Sequence, residues 1–168
     1  QVLKIARDGK TSTFFDAAEM EVHAIAPAPA GGLYVGTSPD GKIYRVAANG
    51  TATPFFDPDD KYIWALVTAP DGALFAATGD KGNIYRITPD GQAEVVFTAP
   101  DRHILALADD GKGSLYLGTY PRGKVFRVRE GKVTPVYEVP SLTITALAAD
   151  GRGNVYLGTS PRATVIKI

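Results

Sequence analysis

The chain reads as an all-β repeat protein. Three observations carry that reading: a strand motif written four times, glycine-bearing turns between short apolar runs, and no helical period in any segment. The motif Leu-Tyr-Val-Gly-Thr at 33–37 returns as Leu-Phe-Ala-Ala-Thr at 74–78, Leu-Tyr-Leu-Gly-Thr at 115–119 and Val-Tyr-Leu-Gly-Thr at 155–159. Its offsets of 41, 41 and 40 residues define an internal period. Short strands recurring at about forty residues predict a β-propeller in which each repeat is a four-stranded antiparallel blade.

Each repeat divides into strands A to D, counted outward from the axis. Strand A is short and apolar, at 22–26, 63–67, 104–108 and 144–148, and it keeps Ala24, Ala65, Ala106 and Ala146 in register. Small residues suit an innermost strand, where blades converge and space is least. The repeated motif is strand B. Strand C is expected at 43–46, 84–87, 125–128 and 165–168, and strand D ends on Phe15, Phe56, Phe97 and Tyr137. Val, Ile, Tyr and Phe dominate these runs, as pleated, half-buried strands require. Asp8-Gly9, Asn49-Gly50, Asp90-Gly91 and Glu130-Gly131 mark C–D turns, while Pro70-Asp71-Gly72, Asp110-Gly111 and Asp150-Gly151 mark A–B turns.

The phase of the repeat is informative. Residues 2–5 and 165–168 both match strand C. One propeller domain over 1–168 is therefore expected to comprise a partial blade at 1–19, repeats at about 20–61, 62–102 and 103–142, and a partial blade at 143–168. An open arc would expose strand edges and apolar blade faces, which proteins avoid. Together with the start at Gln1, this leads to the expectation of a half or fragment of a larger ring. It would be completed by a second copy, as a homo-oligomer, or by the remainder of a longer propeller; a self-contained four-bladed ring is the third alternative.

With 168 residues and 45% hydrophobic content, the chain is long enough to bury a core. Eighteen basic residues balance eighteen acidic ones, so the electrostatic footprint of a nucleic-acid binder is missing. No apolar run reaches the roughly 18–20 residues of a helical membrane span. Without cysteine, disulfides and thiolate metal sites are excluded. The lack of cysteine is compatible with a periplasmic or secreted protein and equally with a bacterial cytoplasm, and the expectation leans to a bacterial exported protein.

The blades, with their Leu-Tyr-x-Gly-Thr and Gly-x-Ile-Tyr-Arg segments, resemble the NHL-like, lactonase-like and two-component-regulator propellers. The resemblance implies ligand binding on the face bearing the D–A and B–C loops, around the axial channel. The D–A loops fall at 16–21, 57–62, 98–103 and 138–143, and the B–C loops at 38–42, 79–83, 120–124 and 160–164. Glu21, Tyr62, His103 and Thr143 are expected to form one rim layer, with His23, Trp64, Leu105 and Thr145 one step inward.

Two functional classes follow. The first is a non-catalytic binding module for a protein, peptide or carbohydrate, with contacts drawn from Asp57, Asp59, Lys61, Tyr62, Trp64, Arg102, His103, Tyr120 and Arg122. The second is a lactonase-like or lyase-like enzyme using Glu21, His23 and His103. The inner strands hold few convergent polar residues, which favours the binding module; no cofactor, metal or catalytic residue is assigned. Asp57-Pro58-Asp59-Asp60 has the composition of a calcium loop without its alternating ligand spacing, so a turn is the plainer reading. Trp64 breaks the repeat, either as a core filler or as a functional residue. The bases Lys4, Arg45, Arg86, Arg127 and Lys167 recur in strand C and read as cover for apolar surface. Tyr34, Phe75, Tyr116 and Tyr156 read as inter-blade core.

Overall fold

The computed structural model describes residues 1–139 and 142–168; residues 140 and 141, inside the loop predicted at 138–143, lie outside the described residues. Among the described residues every regular element is a strand. A hairpin of β1 (Val2–Ile5) and β2 (Thr11–Phe15) comes first. A four-stranded blade follows, with β3 (Glu21–Pro27), β4 (Leu33–Ser38), β5 (Ile43–Val46) and β6 (Ala52–Phe56) paired in sequential order. The next blade holds β7 (Tyr62–Thr68), β8 (Leu74–Gly79), β9 (Asn83–Ile87) and β10 (Ala93–Thr98). The third holds β11 (His103–Asp109), β12 (Ser114–Tyr120), β13 (Lys124–Arg129) and β14 (Lys132–Glu138). A three-stranded sheet of β15 (Thr143–Ala149), β16 (Val155–Ser160) and β17 (Val165–Lys167) ends the chain. The strand expected at 165–168 thus stops one residue early, although Ile168 still exchanges backbone hydrogen bonds with Val155 at 2.9 Å.

All pairings are antiparallel, and the innermost strands β3, β7, β11 and β15 touch one another in succession. This is a propeller arc. The glycine of the repeated motif shows why: a Cβ on Gly36 would come within 2.5 Å of Ile63 in the following blade. Gly118 stands in the same relation to Ile144. Only a residue without a side chain lets the next innermost strand approach that closely. The motif threonine closes the B–C turn, since its hydroxyl accepts from the backbone N–H of Lys42, Asn83 or Lys124 at 3.0–3.1 Å. The C–D turns place Gly9, Gly50, Gly91 and Gly131 at positive φ, as tight hairpins demand.

Between blades lie the cores. Tyr34, Ile43, Ile63 and Leu74 are fully buried in one, Ile84, Ile104 and Leu117 in the next, and Ile144 and Leu157 in the last. Burying a side chain of this size stabilises by roughly 1.5–3 kcal/mol. The strand C bases face the strand B aromatics across the ladder: Arg45 opposite Tyr34, Arg86 opposite Phe75, Arg127 opposite Tyr116 and Lys167 opposite Tyr156. Arg45 lies 5.9 Å from the Tyr34 ring centroid and Lys167 5.8 Å from that of Tyr156, so the long stems and charges cap apolar rings.

Two irregularities recur in every repeat. Strand A skips one residue in its pairing with strand B, leaving His23, Trp64, Leu105 and Thr145 unpaired as bulges. Strand D does the same at Phe14, Phe55, Val96 and Val136. A bulge re-aims the side chain that it frees from the ladder.

Candidate functional site

The strand A bulges build the site. Trp64, released from the β7–β8 pairing, stands half-buried at the rim. Its indole stacks on Tyr62, with centroids 5.0 Å apart and planes within 9°. The ring of His23, the equivalent bulge one blade earlier, lies 4.6 Å from Trp64. On the other side Trp64 Nε1–H donates to His103 Nδ1 at 3.2 Å, and His103 in turn lies 5.8 Å from Tyr120. Five rings from three blades therefore run along one edge of the arc.

Gly79 makes this possible. A Cβ there would run into both Trp64 Nε1 and His103 Nδ1. The same glycine pairs with His103 in the single bridge that joins the second and third blades. Beside the rings, a cavity of about 280 Å³ is lined by Trp64, His103, Leu105, Tyr120, Thr143, Thr145 and Ser160. It offers aromatic faces with three hydroxyls at the far wall.

The electrostatics disfavour protonation of His103. Burial pushes its pKa down, Arg102 adds to that, and Asp80 opposes. The tautomer follows from the hydrogen bond: Nδ1 accepts from Trp64, so the proton resides on Nε2. Glu21 turns to His23 instead, with Oε2 and Nε2 2.8 Å apart.

The charged candidates Asp59, Lys61, Arg102 and Arg122 enter ion pairs in the loops. Asp80 accepts from Arg102 at 2.6 Å and lies 4.0 Å from Lys61; the Arg102 hydrogen bond is the main cause of its lowered pKa. Asp59 pairs with Lys81 at 3.8 Å, and Asp57 enters no hydrogen bond or ion pair found among the described residues. Arg122 bonds Asp101 and the carbonyl of Pro100 at 2.6 Å. Of the candidates, the fold brings Tyr62, Trp64, His103, Tyr120 and His23 to one place, whereas Asp57, Asp59 and Arg122 lie in loops beside it. Among the described residues no three His, Asp or Glu side chains converge as a metal-holding group.

Two buried carboxylates went unrecognised in the sequence. Asp60, 1% exposed, accepts from Thr78 at 2.8 Å, Tyr85 at 2.7 Å and Asn83 at 3.2 Å. Burial first, then Asp60, push the Tyr85 hydroxyl up to about 12. Asp101, 3% exposed, accepts from Thr119 at 2.6 Å. Asp60 is therefore held in a clamp of side-chain hydrogen bonds. The signal was available: Glu19, Asp60 and Asp101 are spaced by 41 residues, and Glu19 likewise accepts from Tyr44 at 2.9 Å.

Fold and rim together define a β-propeller arc with an aromatic edge. Its likeness to solved structures is to propellers of diverse roles. Virginiamycin B lyase from Staphylococcus aureus matches with a TM-score of 0.82 at 16% identity, over 99% of this chain and 61% of the lyase. A chain of the nidogen/laminin complex matches at 0.78 and 16%, over 98% and 68% respectively. The extracellular domain of a putative hybrid two component system from B. thetaiotaomicron matches at 0.69 and 19%, over 86% and 20%. At such identities the likeness shows the fold alone, and the chain spans about 60% of the length of the lyases. No protein-family model matches the sequence, and no curated protein matches it as a relative.

Proposed function

We propose that this arc is a non-catalytic binding module whose ligand, a carbohydrate first of all, rests on the aromatic rim. The carrying observation is the continuous row His23, Tyr62, Trp64, His103 and Tyr120 beside a cavity walled by Thr143, Thr145 and Ser160. A sugar ring has an apolar face that an aromatic side chain covers and an edge of hydroxyls that such residues bond. The hydrogen bond from Trp64 supports binding over catalysis. It occupies His103 Nδ1 and leaves the proton on Nε2, so neither nitrogen presents a free lone pair for proton abstraction.

Trp64 is the sole tryptophan, so its emission reports on the site directly. Titration with a panel of soluble oligosaccharides, and in parallel with peptides, should give a saturable emission change with an oligosaccharide. Tyr120→Ala should weaken it by about tenfold or more. A response to peptides alone would move the reading to a peptide module, and product formation would replace it with the enzyme reading.

The arc ends support a partner of the same repeat. Gly158, the equivalent of Gly36 and Gly118, meets only Ala146 of its own blade, and Ile25 at the other end is 54% exposed. One end thus offers an open glycine seat, and the other an exposed aliphatic side chain at the position of Leu66, which lies 3.4 Å from a Cβ on Gly36. A second copy or the rest of a longer propeller would join them. Light scattering distinguishes these: a mass near twice 17.8 kDa assigns the seat to a second copy. The extracellular setting of one structural neighbour supports an exported protein.

A further inference from the structure

The two joints between complete blades are built from equivalent residues, yet one is filled and the other open. In the first joint, between β3–β6 and β7–β10, the bulged Phe55 packs on Tyr34 with centroids 4.8 Å apart. Arg45 lies over both rings at 5.9 and 6.0 Å, and Thr68 donates across the joint to the carbonyl of Pro27 at 2.6 Å. Tyr34 is wholly buried.

In the second joint, between β7–β10 and β11–β14, the arginine is kept as Arg86 but the residues around it have changed. Val96 occupies the bulge in place of Phe55, Asp109 the place of Thr68, and Glu94 the place of Thr53. Asp71 stands where the preceding turn has Ala30, and Gly111 where it has Pro70. The result is a groove of about 520 Å³. Its apolar floor is Phe75, Val96, Leu115 and Val128, and its polar wall includes Asp71, Glu94, Asp109 and Glu130. Arg86 is drawn to Asp71 at 2.7 Å and Glu94 at 3.9 Å, where Arg45 instead caps rings. The half-buried Phe75 thus faces an open groove whose carboxylates outnumber its one lining base.

We propose that this groove binds a compact organic cation, an ammonium or guanidinium on an apolar stem, in the place that Arg45 fills one joint earlier. The guest charge would lie near the Phe75 face and the surplus carboxylates, and its stem on Val96, Leu115 and Val128. Cation–ring attraction and desolvated charge pairing act together in such a setting. The groove is formed by A–B and C–D turns, so it opens at the opposite strand ends from the aromatic rim and stands independently of the rim reading.

The test uses the whole protein with methyl-labelled Val and Leu. Phenethylammonium and agmatine should each shift the methyls of Val96, Leu115 and Val128 saturably. Neutral 2-phenylethanol should bind about tenfold more weakly, and raising salt should erode that margin. Val96→Phe, which restores the first joint's filler, should abolish the shifts. If that variant fails to fold, Glu94→Thr, which restores the first joint's polar residue, should cut the affinity for cations but not for the alcohol. Equal affinity for alcohol and cations, or full binding by Val96→Phe, would overturn the proposal. Saturation by an arginine-bearing peptide as well as by agmatine would identify the cation as a side chain rather than a free amine.

Discussion

Leu107 and Ile25 hold the same place in the repeat, yet Leu107 is 8% exposed and Ile25 54%. Ala106 and Ala108, likewise, are buried, while their equivalents Ala146 and Ala148 are exposed. The local sequence and the strand geometry are alike in each pair. What differs is the neighbour, because a blade side is a core only when another blade lies against it. The stability of an interior blade is therefore a property of joints, as in other repeat architectures.

The comparison can be broken most directly at its own residues. Leu107→Ala should cost about 3 kcal/mol, the range for a buried aliphatic truncated to alanine. Ile25→Ala should cost no more than about 0.5 kcal/mol, as at an exposed surface. Urea denaturation of the two variants measures both. A comparable loss for Ile25→Ala, growing with protein concentration, would show that a second copy covers that end.

A smaller contrast separates the clamp carboxylates from the loop carboxylates. Asp60→Ala strands the hydroxyls of Thr78 and Tyr85 and the amide of Asn83, and should cost about 2 kcal/mol. Asp59→Ala removes a carboxylate that pairs only at 3.8 Å and in the open, and should leave the denaturation midpoint unmoved.

The smallest effect is in pH. The folded-state pKa of His103 lies below its ordinary value, so the unfolded chain binds the proton more readily. The corresponding stability is present above about pH 6.5 and lost as pH falls through the folded value. Melting temperatures between pH 8 and 5 should fall further for the native protein than for His103→Gln, with Arg102 and Asp80 the charged groups facing the ring.

Much of this architecture was legible in the chain. The 41-residue spacing fixed four copies of strand B, and the turn glycines and strand-end aromatics placed their neighbours. The aromatic rim was legible in part, because Trp64 and His103 depart from their equivalents. The bulges were not. Skipping Trp64 or Val96 in a ladder leaves the apolar pattern readable as a plain strand, and only the partner register reveals the slip. Nor did composition separate Asp60 from Asp59, adjacent acids of which one is buried and bonded and the other is solvated. The open joint was hidden for a related reason. Exchanging Phe55 for Val96 is a mild change in hydropathy, and its consequence is a volume.

The strand A bulge has a consequence for how this molecule could change over time. It exempts one residue per repeat, at positions 23, 64, 105 and 145, from the pairing duties of its neighbours. Those four sites hold His, Trp, Leu and Thr, chemistries with nothing in common, on a backbone that repeats almost unaltered. The scaffold therefore carries four interchangeable slots on its innermost strands, whose side chains selection can rewrite without renegotiating the fold.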